Sequence, residues 1–241
     1  MALISSWPAM MVRRLLRVTG LGSRLNSWLN RRGYEHRFHE ALLGQLRNDD
    51  VVWDIGANVG VYTSLFADRV GLPGHVFAFE PSPLNRARLE QAVASRRNVT
   101  VIGIALGSDR SICEFAEGAD SEGSDARIVE TVRASPTDRI VQVEVVPGDS
   151  LIAERRVRVP SVVKIDVEGF EIEVLQGLSK TLRDPRVRSV CVEVHSAQTE
   201  ERNITNAGRI VERLLQAAGF RVQWVDFSHI IARRPAGATP A

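Results

Sequence analysis

The sequence predicts an α/β domain on a mostly parallel sheet, and two observations carry that prediction. From residue 51 onward, short apolar runs alternate with amphipathic helical segments, the pattern of strands joined by right-handed crossovers. The first run, Val51-Val52-Trp53-Asp54-Ile55, leads directly into a glycine loop, Gly56-Ala57-Asn58-Val59-Gly60. In open parallel sheets, ligands bind beyond the carboxyl ends of the strands, where such loops sit. A chain of 241 residues with 44% hydrophobic side chains can bury one substantial core.

The elements follow in order. Residues 58–70 read as a helix, with Val59, Tyr62, Phe66 and Val70 on one side. His75-Val76-Phe77-Ala78-Phe79 is the next buried strand. Pro81-Ser82-Pro83 follows, where Ser82 can cap a helix whose first position is Pro83. Residues 99–102 form a third strand. Residues 118–136, rich in Gly, Ser, Asp and Glu, read as a long mobile loop, and residues 140–146 alternate like a half-exposed strand. Ser161-Val162-Val163-Lys164-Ile165 is a strand before a helix through Ile172, Leu175 and Leu178. A further strand spans residues 190–194, and a helix spans 205–218 with Gly219 ending it. Residues 220–225 and 229–232 close the chain as a hairpin, and residues 235–241 read as a disordered tail. The domain therefore runs over residues 51–234.

Residues 1–50 differ in composition, with eight arginines against four acidic residues. Trp7, Met11, Leu15 and Val18 recur at helical spacing. This basic extension reads as an amphipathic helix docked on the domain or a frayed terminus; the alternatives are a membrane-surface helix or a substrate lid. A formal net charge of +2 argues against a nucleic-acid partner, which needs a clustered basic face. Cys113 and Cys191 are too few for a disulfide framework, so a reducing compartment is expected. No apolar run is long enough to span a bilayer. The expected setting is the cytoplasm, and the oligomeric state is left open.

The glycine loop is the first chemical signal, and Glu80, at the end of the next strand, is the second. A carboxylate at that distance can grip ribose hydroxyls. A dinucleotide would require bare amides for its pyrophosphate and a G-x-G-x-x-G loop. This loop lacks the middle glycine and opens with Asp54. An acid there suits a cationic ligand such as S-adenosylmethionine (SAM), with its sulfonium and ammonium. In the plainest alternative, Asp54 only caps the helix and Gly56 only makes the turn.

A second constellation follows the later strands. Asp166 and Glu168 are two residues apart, as are Glu193 and His195, so in extended chain each pair points to one side. These four converge with Asp54 and Glu80 on one crevice. Three readings compete: a general base (Asp166, with Glu168 and His195 as helpers), a divalent metal site (Asp166, Glu193 and His195), or structural roles at a helix start. His36, His39, His75 and His229 read as ordinary surface or boundary residues.

Taken together, D-I-G-A-N-V-G-V-Y-T (residues 54–63), F-E-P (79–81), V-P-G-D-S-L (146–151) and V-K-I-D-V-E-G-F-E (163–171) resemble the FkbM-type methyltransferases. The resemblance covers residues 51–195. It implies a Rossmann-like, seven-stranded sheet with helices on both faces and SAM as cofactor, surrounded by Asp54, Gly56, Asn58, Gly60, Tyr62, Thr63 and Glu80. It also implies methylation of a hydroxyl on a small molecule, sugar or glycolipid. The alternatives are an NAD-linked oxidoreductase or epimerase, and a non-catalytic binding subunit on the same fold.

Overall fold

The computed structural model of the protein describes residues 37–117, 127–128 and 139–235. The N-terminal segment around Trp7, Met11, Leu15 and Val18, nearly all of 118–136, and the tail from residue 236 lie outside the described residues. The chain divides into two units, Met1–Glu40 and Ala41–Ala241. Residues 37–40 are what is described of the first, and they are helical.

In chain order, the elements of the second unit from residue 51 are β1 (Val51–Ile55), α1 (Val61–Val70), β2 (His75–Phe79), α2 (Pro83–Val93), β3 (Val99–Ile102), β4 (Ala105–Leu106), β5 (Ser111–Glu117), β6 (Arg127–Ile128), β7 (Arg139–Val146), α3 (Gly148–Ala153), β8 (Val162–Ile165), α4 (Glu171–Gly177), β9 (Ser189–Glu193), α5 (Ser196–Glu201), α6 (Ala207–Ala217), β10 (Arg221–Trp224) and β11 (His229–Arg233). Seven strands make the main sheet in the order β10-β11-β9-β8-β1-β2-β3. Only β11 runs opposite to the other strands of this sheet, so the mostly parallel Rossmann-like sheet and the closing hairpin are both present. The order reverses at β1, with β2 on one side and β8 on the other. That reversal point is where ligands bind in sheets of this kind.

Local chemistry accounts for the element ends. Helix α1 begins at Val61, later than the expected residue 58, because Asn58 (φ 51°) and Gly60 (φ 90°) are left-handed. Such residues cannot continue a right-handed helix. The cap of α2 is as expected: Ser82 Oγ accepts from the Asn85 amide at 3.1 Å and Pro83 is the first helical residue. Gly219 (φ 90°) follows the end of α6, the usual left-handed stop.

The largest core cluster joins Trp53 and Ile55 of β1 to Phe79, Val163, Ile165, Leu151, Leu175 and Leu178. The Trp53 ring lies 5.2 Å from that of Phe79 and its indole N–H donates to the Arg158 carbonyl at 3.0 Å, satisfying the one polar group on the side chain.

A second, four-stranded sheet, β4-β7-β5-β6, was not expected beyond its strand β7. Strand β5 alternates as a half-buried strand should: Cys113 and Phe115 face in while Ile112 and Glu114 are exposed. The inward side packs with Val143 and Val145 against Phe170. This sheet walls one side of the crevice at the carboxyl ends of β1 and β8.

Candidate active site

Register positions the first charged group. Asp54 on β1 stands directly opposite Lys164 on β8, and in-register residues of parallel strands share a face. Lys164 Nζ lies 3.2 Å from Asp54 Oδ1 and 3.3 Å from Asp166 Oδ2. Thr63 donates its hydroxyl to Asp54 Oδ2 at 2.6 Å. The Tyr62 ring lies under Lys164, 5.2 Å from Nζ to its centre. Burial opposes the lysine charge, but Asp54 and Asp166 hold its pKa above the ordinary range. Burial likewise raises the Tyr62 hydroxyl to about 12.

These contacts place several expected cofactor residues differently. Asp54 is fully buried, and its charge is matched by Lys164 rather than turned toward a cationic ligand. Nor does it cap α1, which has no side-chain cap. Thr63 and Tyr62 act on that ion pair. The room left at Gly60 is for Leu89 of α2, which an added Cβ would meet at 2.5 Å. At Gly56 (φ 78°) an added Cβ would come within 1.7 Å of the Asp166 carbonyl oxygen, so glycine is needed where the loops after β1 and β8 touch.

The crevice itself is a cavity of about 230 Å³. Gly56, Asn58, Glu80 and Pro81 line it together with Asp166, Glu168, Glu193 and His195, while Ile104, Leu106, Phe115 and Phe170 supply apolar wall. The glycine-loop side and the carboxylate side, far apart in sequence, thus share one space.

Glu80 is fixed at the cavity wall. Its oxygens accept from the Asn58 amide at 2.8 Å and the Ser82 amide at 2.9 Å. Burial nevertheless raises its carboxyl to about 7, against the pull of those amides. Asn58 Oδ1, buried at the cavity, has no hydrogen-bond partner within the protein. A buried orphan acceptor beside a fixed carboxylate fits a ligand that brings hydroxyl and ammonium donors, as SAM does. The loop amides argue against a dinucleotide. Those of Gly56 and Ala57 donate to the Phe79 carbonyl, that of Asn58 to Glu80, and that of Gly60 to the Ala57 carbonyl. None of these four is left for a pyrophosphate.

Across the cavity, His195 is the hub. Its Nδ1 lies 2.7 Å from Glu171 Oε1, and its Nε2 faces Glu168 at 3.4 Å, Asp166 at 3.7 Å and Glu193 at 3.8 Å. Burial opposes its charge, but the Glu171 hydrogen bond and the carboxylates raise it to about 10. The Glu168 carboxyl is pushed up to about 7 by burial, against the pull of His195. Asp166 goes the other way: burial is outweighed by Lys164 and His195, and its pKa falls. Glu168 is left-handed, with φ 51°, an uncommon conformation for this residue type and one that clusters at working sites.

All four expected residues of this cluster are therefore adjacent. Three participants escaped the sequence reading. Lys164 carried a usable signal, since a lysine inside a buried parallel strand requires a partner. Glu171, fully buried, holds His195. His229 is no boundary residue: it pairs across strands with Glu193, Nε2 to Oε2 at 3.3 Å, and its Nδ1 is 2.8 Å from Asp226. Only the β9–β11 register reveals it.

Comparison with known proteins agrees with this geometry. Residues 54–222 match the methyltransferase FkbM domain. The chain is 34% identical over 155 residues to the hexuronic acid methyltransferase AglP of Haloferax volcanii, covering 64% of this chain and 60% of that protein. It is 30% identical over 228 residues to the 31-O-demethyl-FK506 methyltransferase FkbM of Streptomyces tacrolimicus, covering 80% of this chain and 84% of that relative. The crystal structure of methyltransferase FkbM from Methylobacillus flagellatus shares the fold, with a TM-score of 0.52 at 17% identity over 79% of this chain and 45% of that one. Among the described residues no helix is long and apolar enough to cross a membrane. The chain belongs to the FkbM methyltransferase-domain family, whose cofactor is SAM.

Proposed function

We propose that the protein transfers the methyl group of SAM to a hydroxyl of a sugar, uronic acid or other small molecule. The observation that carries this reading is the shared cavity: Glu80 and Asn58 on one wall, and Asp166, Glu168, Glu193 and His195 on the other. SAM supplies an electrophilic methyl group and its own leaving group. Glu80 holds the ribose hydroxyls, and Asn58 Oδ1 takes a donor from the same ligand. The acceptor enters against the carboxylate wall. With SAM bound, the methyl carbon would bond to the acceptor oxygen, the electron pair of the broken carbon–sulfur bond would stay on sulfur, and the carboxylate cluster would take the hydroxyl proton. Positioning of the two reactants can contribute about 7–11 kcal/mol, and proton removal roughly 10²–10⁴-fold.

The acceptor class follows the relatives named for a hexuronic acid and for 31-O-demethyl-FK506. A net charge of +2 favours such acceptors over nucleic acid. In this reading residues 51–234 are the catalytic domain, residues 1–50 are a basic extension suited to acceptor or peripheral membrane contact, and the reaction is cytoplasmic, in keeping with two cysteines, Cys113 and Cys191, that form no disulfide. The test is incubation with methyl-labelled SAM and a panel of uronic acids, neutral sugars and macrolide alcohols. Label on an acceptor oxygen supports the reading; label on nitrogen alone, or on no acceptor while SAM still binds, opposes it.

Glu80 makes SAM affinity depend on pH. Its pKa in the fold is raised, to about 7, so its contribution to folding is full below the unfolded value and lost as pH rises through about 7. Ligand binding runs in the opposite sense, because ribose hydroxyls donate to the ionised form. Affinity is expected to be level above about pH 7 and to fall toward tenfold per unit below it. Calorimetry between about pH 5.5 and 7.5 checks this. A flat profile, or an equal slope in Glu80→Gln, contradicts it.

A further inference from the structure

The carboxylates around His195 stand at spacings that hydrogen bonding does not explain. Oxygens of Glu168, Asp166 and Glu193 lie 3.4, 3.7 and 3.8 Å from Nε2, all beyond the ~2.7–3.2 Å of a good N–H···O bond. The other ring nitrogen makes a true hydrogen bond, 2.7 Å to Glu171. Metal–ligand bonds of about 2.1 Å set neighbouring donor atoms roughly 3.0 Å apart in an octahedral shell and roughly 3.4 Å in a tetrahedral one. Donor atoms of Asp166, Glu168 and His195 all fall within 4.8 Å of one another, close enough for side-chain rotation to draw them into such a shell.

Each donor is also held from outside. Lys164 takes Asp166 Oδ2 while Oδ1 faces His195, and His229 takes Glu193 Oε2 while Oε1 faces His195. Gln198 donates to Glu168 at 3.0 Å, and Glu171 fixes the imidazole. A histidine that ligates a metal nearly always gives its second ring nitrogen to such a partner, and ligating carboxylates are themselves hydrogen-bonded.

Charge supplies an independent argument. Six carboxylates, those of Asp54, Asp166, Glu168, Glu171, Glu193 and Asp226, are joined through three bases, Lys164, His195 and His229. Six against three leaves this described network negative even with both imidazoles protonated. Glu171 adds to the deficit, since its Oε2 is fully buried without a hydrogen-bond partner.

We propose that Asp166, Glu168, Glu193 and His195 bind one divalent cation of the Mn²⁺ or Mg²⁺ class. Oxygen donors with one imidazole suit hard or borderline ions of this kind. An ion there lies against any hydroxyl that reaches the carboxylate wall and lowers its pKa. That role rests on the methyl-transfer reading; the binding itself does not.

Mn²⁺ titrated into the whole protein, followed by electron paramagnetic resonance and calorimetry, tests the site. One Mn²⁺ per chain is expected, displaced by excess Mg²⁺. Glu168→Gln is the first variant, because Glu168 is part-exposed on a loop and its loss spares the buried ion pairs; His195→Gln is the second. Each is expected to weaken Mn²⁺ at least about tenfold, the usual loss when a site's coordination is disturbed, with SAM affinity unchanged. Absence of Mn²⁺ binding with SAM binding intact overturns the site and leaves a cluster held by protons. Mn²⁺ binding equal in wild type and both variants also overturns it, placing the ion elsewhere. Failure of SAM binding with Mn²⁺ retained contradicts the methyl-transfer reading instead.

Discussion

Asp166→Asn is expected to lower methyl-transfer turnover at least about a hundredfold, the low end for loss of a general base, while SAM binding stays nearly intact. Asp166 follows β8 beside the strand that carries Asp54, and lines the cavity opposite Glu80. Its two oxygens are divided, one toward Lys164 and one toward His195. Asparagine keeps the size and one acceptor, and Lys164 keeps Asp54 at 3.2 Å, so the fold should tolerate the change. What is lost is a negative charge that can receive a proton or hold an ion. Steady-state kinetics beside a SAM titration separate the two effects. Wild-type turnover in this variant would make Asp166 structural. Chelation distinguishes the two chemical roles: with a cation in use, turnover falls on chelator treatment and returns with Mn²⁺.

Lys164→Met should have the largest effect on stability. The ammonium is buried and is, among the described residues, the one charged partner of Asp54, whose side chain has 0% exposure. Removing one member of a buried pair strands the other charge, at a cost of about 3–5 kcal/mol. That is a large part of the ~5–15 kcal/mol that holds a typical domain together. Urea denaturation should show the midpoint falling with little change in slope. Adding Asp54→Asn to Lys164→Met should recover part of the loss by removing the stranded carboxylate. A loss below about 1 kcal/mol, as for an exposed pair, would contradict this account of the strand pair.

The sheet was legible because its determinants are local. Apolar runs, Ser82 with Pro83, and Gly219 each carry their meaning within a few residues. The glycine loop and Glu80 could be linked because consecutive parallel strands lie side by side. The second sheet was hidden by the long polar stretch after β5, although Cys113 and Phe115 alternate with Ile112 and Glu114. In the site, the sequence located Asp166, Glu168, Glu193 and His195 but not what organises them. Lys164 meets Asp54 through the β1–β8 register, 110 residues apart in sequence. His229 reaches Glu193 through the antiparallel β9–β11 pairing. The close contacts of the two glycines were hidden for the same reason: Gly60 makes room for Leu89 and Gly56 for the Asp166 carbonyl, contacts that exist only after the chain has closed.

The central claim is that this cavity binds SAM through Glu80 as the cofactor for methyl transfer. Calorimetric titration of SAM, its demethylated product and NAD into wild type and Glu80→Gln tests it most directly. The account predicts one SAM per chain, binding of the product, and no NAD binding. It also predicts a loss of about 1.5–3 kcal/mol in SAM affinity for the variant, the usual worth of hydrogen bonds to a charged group. Tight NAD binding without SAM binding, or a SAM dissociation constant identical in Glu80→Gln, would contradict it.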